Sequence, residues 1–316
     1  MEPLLQAEHL SISFTQYDRG TRRLSLPVIR DLTFAIRPGQ VTAVVGSSGS
    51  GKSLLAHGIL GILPYNASLE GTIAYGGEPL TRRRVEAFRG REITLVPQGV
   101  TYLDPLMEIG PQIRRGRRDD RARAESRAVL ARYGLGAEAE GMYPFELSGG
   151  MARRALIAAA VAERPKLIIA DEPTPGLDAR AAGRILGHFR ELAEEGAGVL
   201  LITHDLELAL TIAHRVLVLY AGETIEEADA ADFAAGTLRH PYTRALIGAL
   251  PKFTGEKTKE RLTAIPGMVP DPSEKMAGCR FAPRCERATA ACREGLPPPL
   301  EIRPGHRVYC CHPEEV

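Results

Sequence analysis

The sequence predicts an α/β fold built around a parallel sheet, and three observations carry that expectation. Short apolar segments at residues 41–45, 93–96, 167–170, 199–202 and 216–219 read as strands. Helical patterns separate several of them, most clearly at residues 179–194. The first segment, Val41-Thr42-Ala43-Val44-Val45, runs into a glycine-rich turn and then a helical stretch, which suits a buried parallel strand.

The remaining segments are read around that core. Residues 4–14 form one or two strands ending in Phe14-Thr15-Gln16-Tyr17, and Leu32-Thr33-Phe34-Ala35-Ile36 alternates as another. From about Gly99 to Pro165 helix predominates. That stretch holds the run Arg114-Arg115-Gly116-Arg117-Arg118. A phosphate or lipid contact is one reading of it, but Asp119, Asp120 and Glu125 follow directly and favour a solvated face. After about Asp232, Pro266, Gly267, Pro270 and Pro272 mark a loop-rich tail. Its last stretch, roughly 40 residues, holds all five cysteines and Pro297-Pro298-Pro299, too loop-rich to stand on a hydrophobic core alone.

The chain has 316 residues, 44% of them hydrophobic. Two domains are expected at roughly 100–200 residues each. With 40 basic and 39 acidic side chains the net charge is +1. Nothing global draws it to nucleic acid or an anionic membrane, and no nucleic-acid partner is expected. The richest apolar stretch, residues 54–63, is broken by His57 and Gly58 and stops at Pro64, short of the about 20 residues a membrane span needs. Met1-Glu2-Pro3 begins no secretory signal. A cytosolic protein is expected, in which thiols stay reduced and a metal or cluster explains the cysteines better than disulfides.

Gly46-Ser47-Ser48-Gly49-Ser50-Gly51-Lys52-Ser53 fits G-x-x-x-x-G-K-[ST] in full. Glycines and serines let successive N–H groups curl around one concavity, and the next helix adds its positive end. Lys52 would bridge the outer phosphates and Ser53 would offer a hydroxyl to magnesium. This loop alone means a P-loop NTPase, which does not decide function. Leu167-Ile168-Ile169-Ala170-Asp171-Glu172-Pro173 is an apolar strand ending in two acids. Asp171 suits a magnesium partner, and Glu172 suits the general base that polarises the attacking water.

Leu147-Ser148-Gly149-Gly150-Met151, roughly 20 residues before Asp171 and roughly 95 after Lys52, resembles the signature of the ABC ATPase family. The resemblance implies that Ser148 and the glycine N–H groups at a helix start reach the γ-phosphate held by an opposite subunit. Gln98 resembles the family's Q-loop glutamine, which touches magnesium or water. Gly176-Leu177-Asp178 resembles the D-loop, and His204 the switch histidine. Tyr17 or Phe14 would stack on adenine. Pro175 stands where the family usually has Thr or Ser, and would stiffen the D-loop.

The fold so implied is a RecA-like parallel-sheet core with an antiparallel β subdomain and a helical signature subdomain. Residues 1–232 would form the nucleotide-binding domain, with the helical part at about 99–165, and residues 233–316 an extension with a small cysteine-rich module. His240-Pro241-Tyr242-Thr243-Arg244-Ala245-Leu246 and Ile265-Pro266-Gly267 resemble the oligopeptide, dipeptide and nickel importer branch. That branch implies two permeases, a second and paralogous ATPase, an extracytoplasmic solute-binding protein, and peripheral placement on the inner face of the plasma membrane. Cys279, Cys285, Cys292 and Cys310 are separated by five, six and seventeen residues. The branch implies a [4Fe–4S] cluster there in some members. Zinc, with Cys311 or His312 as substitute ligand, and free thiols or disulfides stay open. Rival readings are a cassette acting on ribosomes or DNA, an exporter cassette, and a degenerate scaffold. Intact Lys52, Ser148, Asp171, Glu172 and His204 speak against the last.

Overall fold

A computed structural model describes residues 2–17, 20, 23–47, 49–250 and 265–314. The strands are β1 (Leu5–Tyr17), β2 (Arg23–Ile36), β3 (Val41–Gly46), β4 (Ala67–Tyr75), β5 (Glu78–Pro79), β6 (Ile93–Val96), β7 (Leu167–Asp171), β8 (Gly198–Thr203), β9 (Arg215–Tyr220), β10 (Glu223–Asp229), β11 (Leu300–Arg303) and β12 (His306–Val308). The helices are α1 (Lys52–Ile59), α2 (Arg82–Phe88), α3 (Ile109–Arg114), α4 (Asp120–Arg132), α5 (Gly149–Val161), α6 (Ala179–Glu194), α7 (Leu206–Leu210), α8 (Ala230–Ala235), α9 (Pro241–Gly248) and α10 (Ala291–Glu294).

The larger sheet runs β11-β12-β10-β9-β3-β8-β7-β6. Its strands from β9 to β6 are parallel. Side chains alternate across a strand, so Val41, Ala43 and Val45 enter one apolar cluster while Val44 enters the other. Both faces are therefore covered, as the uninterrupted apolar run in β3 requires. On one face lies α6, which buries Ala182, Ile185, Leu186, Phe189 and Leu192 at helical spacing. Asp178 caps its N-terminus by accepting from Ala181 N at 2.8 Å.

The smaller sheet, β2-β1-β4-β5, is antiparallel, matching the expected antiparallel portion. Residues 99–165 form α3, α4, α5 and short 3₁₀ turns. The arginine run there is occupied locally: Arg114 pairs with Glu140, and Arg117 with Glu125 at 3.2 Å.

Beyond β10 the chain stays joined to the core. β12 extends the large sheet by pairing Glu226 with Val308 and Glu227 with Arg307. Phe233, Leu238, Tyr242 and Phe281 enter the same apolar cluster as β3 and α6. The change of composition at residues 232–233 falls inside α8. No helix among the described residues is long and apolar enough to cross a membrane.

Candidate active site

The parallel strands deliver the expected residues to one edge. Gly46 ends β3, Asp171 ends β7 and Thr203 ends β8. Register aligns them: Val45 faces Thr203, Asp171 faces Ile202, and Gly46 faces Leu219. The carboxyl edge of such a sheet is where ligands bind.

In the phosphate loop, Gly46 has φ +156° and Gly51 has φ +89°. A Cβ on Gly46 would lie 2.2 Å from the Leu219 carbonyl oxygen, so the loop leaves β3 by a route only glycine permits. Lys52 opens α1, is 7% exposed, and donates to the carbonyls of Gly46 at 2.9 Å and Ser47 at 3.0 Å. Burial lowers its ammonium pKa, while Glu172 and Asp171 oppose that shift. The loop thus keeps its cation folded over its own carbonyls, ready to be taken by phosphate. Ser48 lies outside the described residues. Gly49 and Ser50 complete the turn, and the Ser50 hydroxyl is buried without a partner.

Asp171 is 4% exposed. Its carboxyl pKa is raised chiefly by burial, with the neighbouring Ser53 hydroxyl opposing the shift. One of its oxygens, Oδ1, is buried with no partner. An orphaned carboxylate oxygen beside a serine hydroxyl at a phosphate loop is what a magnesium ion would satisfy. Ser53 and Asp171 thus carry donors of the kind such an ion takes. Among the described residues no hydrogen bond joins Gln98 to either of them; the residue is exposed, and its carbonyl is held by Arg153 at 2.6 Å.

Glu172 has φ +47°, a left-handed conformation unusual for a residue with a side chain. Its N–H donates to Ile202 O at 2.8 Å. Its Oε1 accepts from the His204 backbone N–H at 3.0 Å and lies 2.8 Å from His204 Nδ1. Its Oε2 accepts from Thr203 Oγ1 at 3.3 Å. Glu172 and His204 are thus one unit, anchored by the end of β8.

The signature segment stands apart. Leu147 is buried. Ser148 caps α5, its Oγ accepting from Met151 N at 3.3 Å. Gly149 and Gly150 form the first turn of α5. Among the described residues no hydrogen bond joins Ser148 to the phosphate loop. Tyr17, at the end of β1, is 62% exposed, with the Arg23 guanidinium 5.9 Å from its ring centre.

Three residues enter the site that sequence reasoning passed over. Thr203 holds the acid, as above. Arg153, 3% exposed, reaches four carbonyls. Its signal was available: paired arginines inside the otherwise small and apolar α5. Tyr242 packs on Tyr220 with ring centres 4.7 Å apart and sets its hydroxyl against Ser47.

The cysteines do converge. Cys279, Cys285, Cys292, Cys310 and Cys311 line a cavity of about 20 Å³ together with His240 and His312. All are free thiols. Burial pushes Cys279 and Cys310 up to about 11. Yet no three His, Cys, Asp or Glu side chains among the described residues are disposed to hold a metal ion. As placed, the thiols do not fit a cluster or zinc. Spacing in sequence could supply the donors but not their orientation.

Comparison with known proteins decides the family. A profile described as ABC transporter matches residues 29–175, and one described as the oligopeptide/dipeptide transporter C-terminal region matches residues 225–292. A dipeptide transport ATP-binding protein of Escherichia coli (strain K12) is 36% identical, covering 98% of this chain and 97% of that one. The chain belongs to the ABC transporter ATP-binding proteins. A probable peptide ABC transporter ATP-binding protein of Sinorhizobium fredii is 37% identical over 99% of this ABC protein and 96% of its own length. Among solved structures, a dimeric bacterial ABC transporter cassette matches with TM-score 0.62 and 25% identity, covering 72% of this chain and 98% of that one. The same agreement holds for a post-hydrolysis cassette dimer bound to ADP and Pi. The chain is an ABC-type ATPase that binds ATP.

Proposed function

We propose that this ATPase powers import of peptides through partner permeases. Full-length likeness to peptide transport ATP-binding proteins supports the cargo class, and peptide rather than nickel is carried forward. The hydrolytic reading rests on one observation: Glu172, in a strained backbone, is gripped by Thr203 and His204 beside Asp171 and the phosphate loop.

ATP would sit on the Gly46–Ser53 loop, with Lys52 leaving its carbonyls for the outer phosphates. Tyr17 would meet the adenine. Magnesium, held by Ser53 and Asp171 with Gln98 moving toward it, would neutralise charge on the β- and γ-phosphates. Glu172 orients the attacking water and takes its proton, and His204 contacts the γ-phosphate. Leu147, Ser148, Gly149, Gly150 and Asp178 serve the nucleotide of an opposing ATPase subunit, a paralogue in our reading. Two permeases and, indirectly, an extracytoplasmic solute-binding protein complete the assembly at the inner face of the plasma membrane. We place the nucleotide-binding domain at residues 1–232, with 233–316 as its extension. Cys279, Cys285, Cys292 and Cys310 line one cavity and would hold a [4Fe–4S] cluster only with their side chains moved from where they now stand. An anaerobic preparation without iron or broad visible absorbance ends that part.

The deciding measurement is magnesium-dependent ATP hydrolysis by wild type and Glu172→Gln, with and without coexpressed candidate permeases. The variant should bind ATP normally and lose on the order of 10²–10⁴ in rate. Near-normal turnover would remove Glu172 from the role of base. ATP binding without hydrolysis in every wild-type assembly would point instead to a scaffold cassette.

A further inference from the structure

We infer that Arg153 is a positioning residue for hydrolysis, the clasp that fixes the Gln98 loop and the Glu172 turn to the signature helix. This rests on the reading of Glu172 as base. Arg153 is the fifth residue of α5, five positions beyond Ser148. Its Nη1 donates to the carbonyls of Pro97 at 2.7 Å and Gln98 at 2.6 Å. Nε donates to Pro173 O at 3.1 Å, and Nη2 to the Glu172 carbonyl. One buried guanidinium therefore holds the backbone of Glu172, assigned to the attacking water, and of Gln98, assigned to magnesium.

The neighbouring Arg154 faces the other way. It donates to the carbonyls of Tyr133 at 3.1 Å and Gly134 at 2.7 Å, at the end of α4. The first turns of α5 are thus pinned on one side to the helical region and on the other to the hydrolytic edge. A movement of the helical region reaches Glu172 through two consecutive side chains rather than through loose loops.

Charge alone does not account for the arrangement. Burial disfavours the Arg153 cation, and Asp171 and Glu172 favour it. A lysine would keep that charge. It would present one nitrogen where the guanidinium presents three in a planar fork, so it would not reach all four carbonyls at once. Glu172 needs this support because its φ of +47° is a conformation the chain relaxes from when restraints are removed. Misplacing a catalytic group by about 1 Å costs roughly 10²-fold in rate.

The test compares full-length wild type, Arg153→Gln and Arg153→Lys at high chain concentration, measuring kcat and KM for magnesium-ATP and urea midpoints. Arg153→Gln should lower kcat by roughly 10- to 100-fold, with KM within about threefold. Arg153→Lys, which keeps the buried charge and secures a folded comparison, should stay about tenfold or more below wild type. Amide exchange at residues 98–102 and at Glu172, Thr174 and Gly176 should quicken in both. Wild-type kcat in folded Arg153→Gln, full recovery by lysine, or a loss seen only in KM or in the urea midpoint would overturn the inference. Glu172→Gln, run alongside, separates the two readings. If it keeps turnover, the base assignment fails. If it is inactive while Arg153→Gln is normal, only the clasp fails.

Discussion

Substituting alanine at Gly46 tests whether the phosphate loop depends on contact or on flexibility. The new Cβ would stand 2.2 Å from Leu219 O and 3.1 Å from Leu219 C. Leu219 is fully buried in β9, hydrogen-bonded beside β3 in the middle of the sheet. It cannot retreat, so the loop must, by about 1 Å. Overpacking of this kind costs about 1–3 kcal/mol of stability. The larger effect falls on binding. Displaced N–H groups forfeit about one charge-assisted hydrogen bond, worth about 1.5–3 kcal/mol, so the Kd for ATP should rise by roughly 10- to 100-fold.

Gly49→Ala is the control. Gly49 has φ +80° but open space around its missing Cβ. It should lose about 1–2 kcal/mol from the left-handed conformation and keep Kd within a few-fold. Titration with a fluorescent ATP analogue and urea unfolding read both quantities. Folded Gly46→Ala binding within threefold of wild type would refute the contact argument. Equal impairment of both variants would shift the cause to loop flexibility.

Two further outcomes follow from buried ionisable groups. Burial raises the Glu223 carboxyl from 4.5 to about 7, against Arg280 and Arg30. The folded chain then holds that proton more tightly than the unfolded chain, so this stabilisation is full below about pH 4.5 and lost as pH rises through about 7. It amounts to on the order of 2 kcal/mol between pH 5 and 8. Glu223→Gln should flatten that slope in urea midpoints, and an unchanged slope would count against it. His306→Ala removes the side-chain partner of the fully buried Glu226 at 2.9 Å and leaves it the backbone N–H groups of Arg239 at 2.7 Å and His240 at 3.1 Å. Losing one hydrogen bond to a buried carboxylate should cost on the order of 1.5–3 kcal/mol in urea unfolding, and a loss below about 0.5 kcal/mol would show that the two backbone donors suffice.

The nucleotide half of the fold was legible because its information is local. β6 and α6 fall at the residues that the apolar run and the helical period mark out. Motifs named the ligands because a phosphate loop and a strand-end acid pair are contiguous in sequence. Strand β2 was read short, since Pro27 interrupts its alternation, yet Pro27 is tolerated because β2 is the edge of its sheet. β10 escaped notice for a different reason. Glu223-Thr224-Ile225-Glu226-Glu227-Ala228-Asp229 looks solvated, but Glu226 and Glu227 are buried. Arg215 and Arg307 each meet Glu227 at 2.6 Å. A buried acid is recognisable only from its partners, which lie up to 80 residues away.

The same reasoning makes the C-terminal segment part of the ATPase rather than an attachment. β12 brings His306 to Glu226 and Arg307 to Glu227, adding to Arg215 of β9 and to the backbone N–H groups of Arg239 and His240 that already meet these acids of β10. Phe281, from the cysteine-bearing stretch, packs edge-on to Tyr220 and Tyr242 with ring centres 5.2 and 5.3 Å apart. Tyr220 ends β9, the strand whose Leu219 confines Gly46, and Tyr242 meets Ser47. The aromatic wedge thus lies between the cysteine cavity, which Phe281 also lines, and the first two residues of the phosphate loop. Phe281 thus divides its contacts between the cysteine cavity and the two tyrosines beside the phosphate loop.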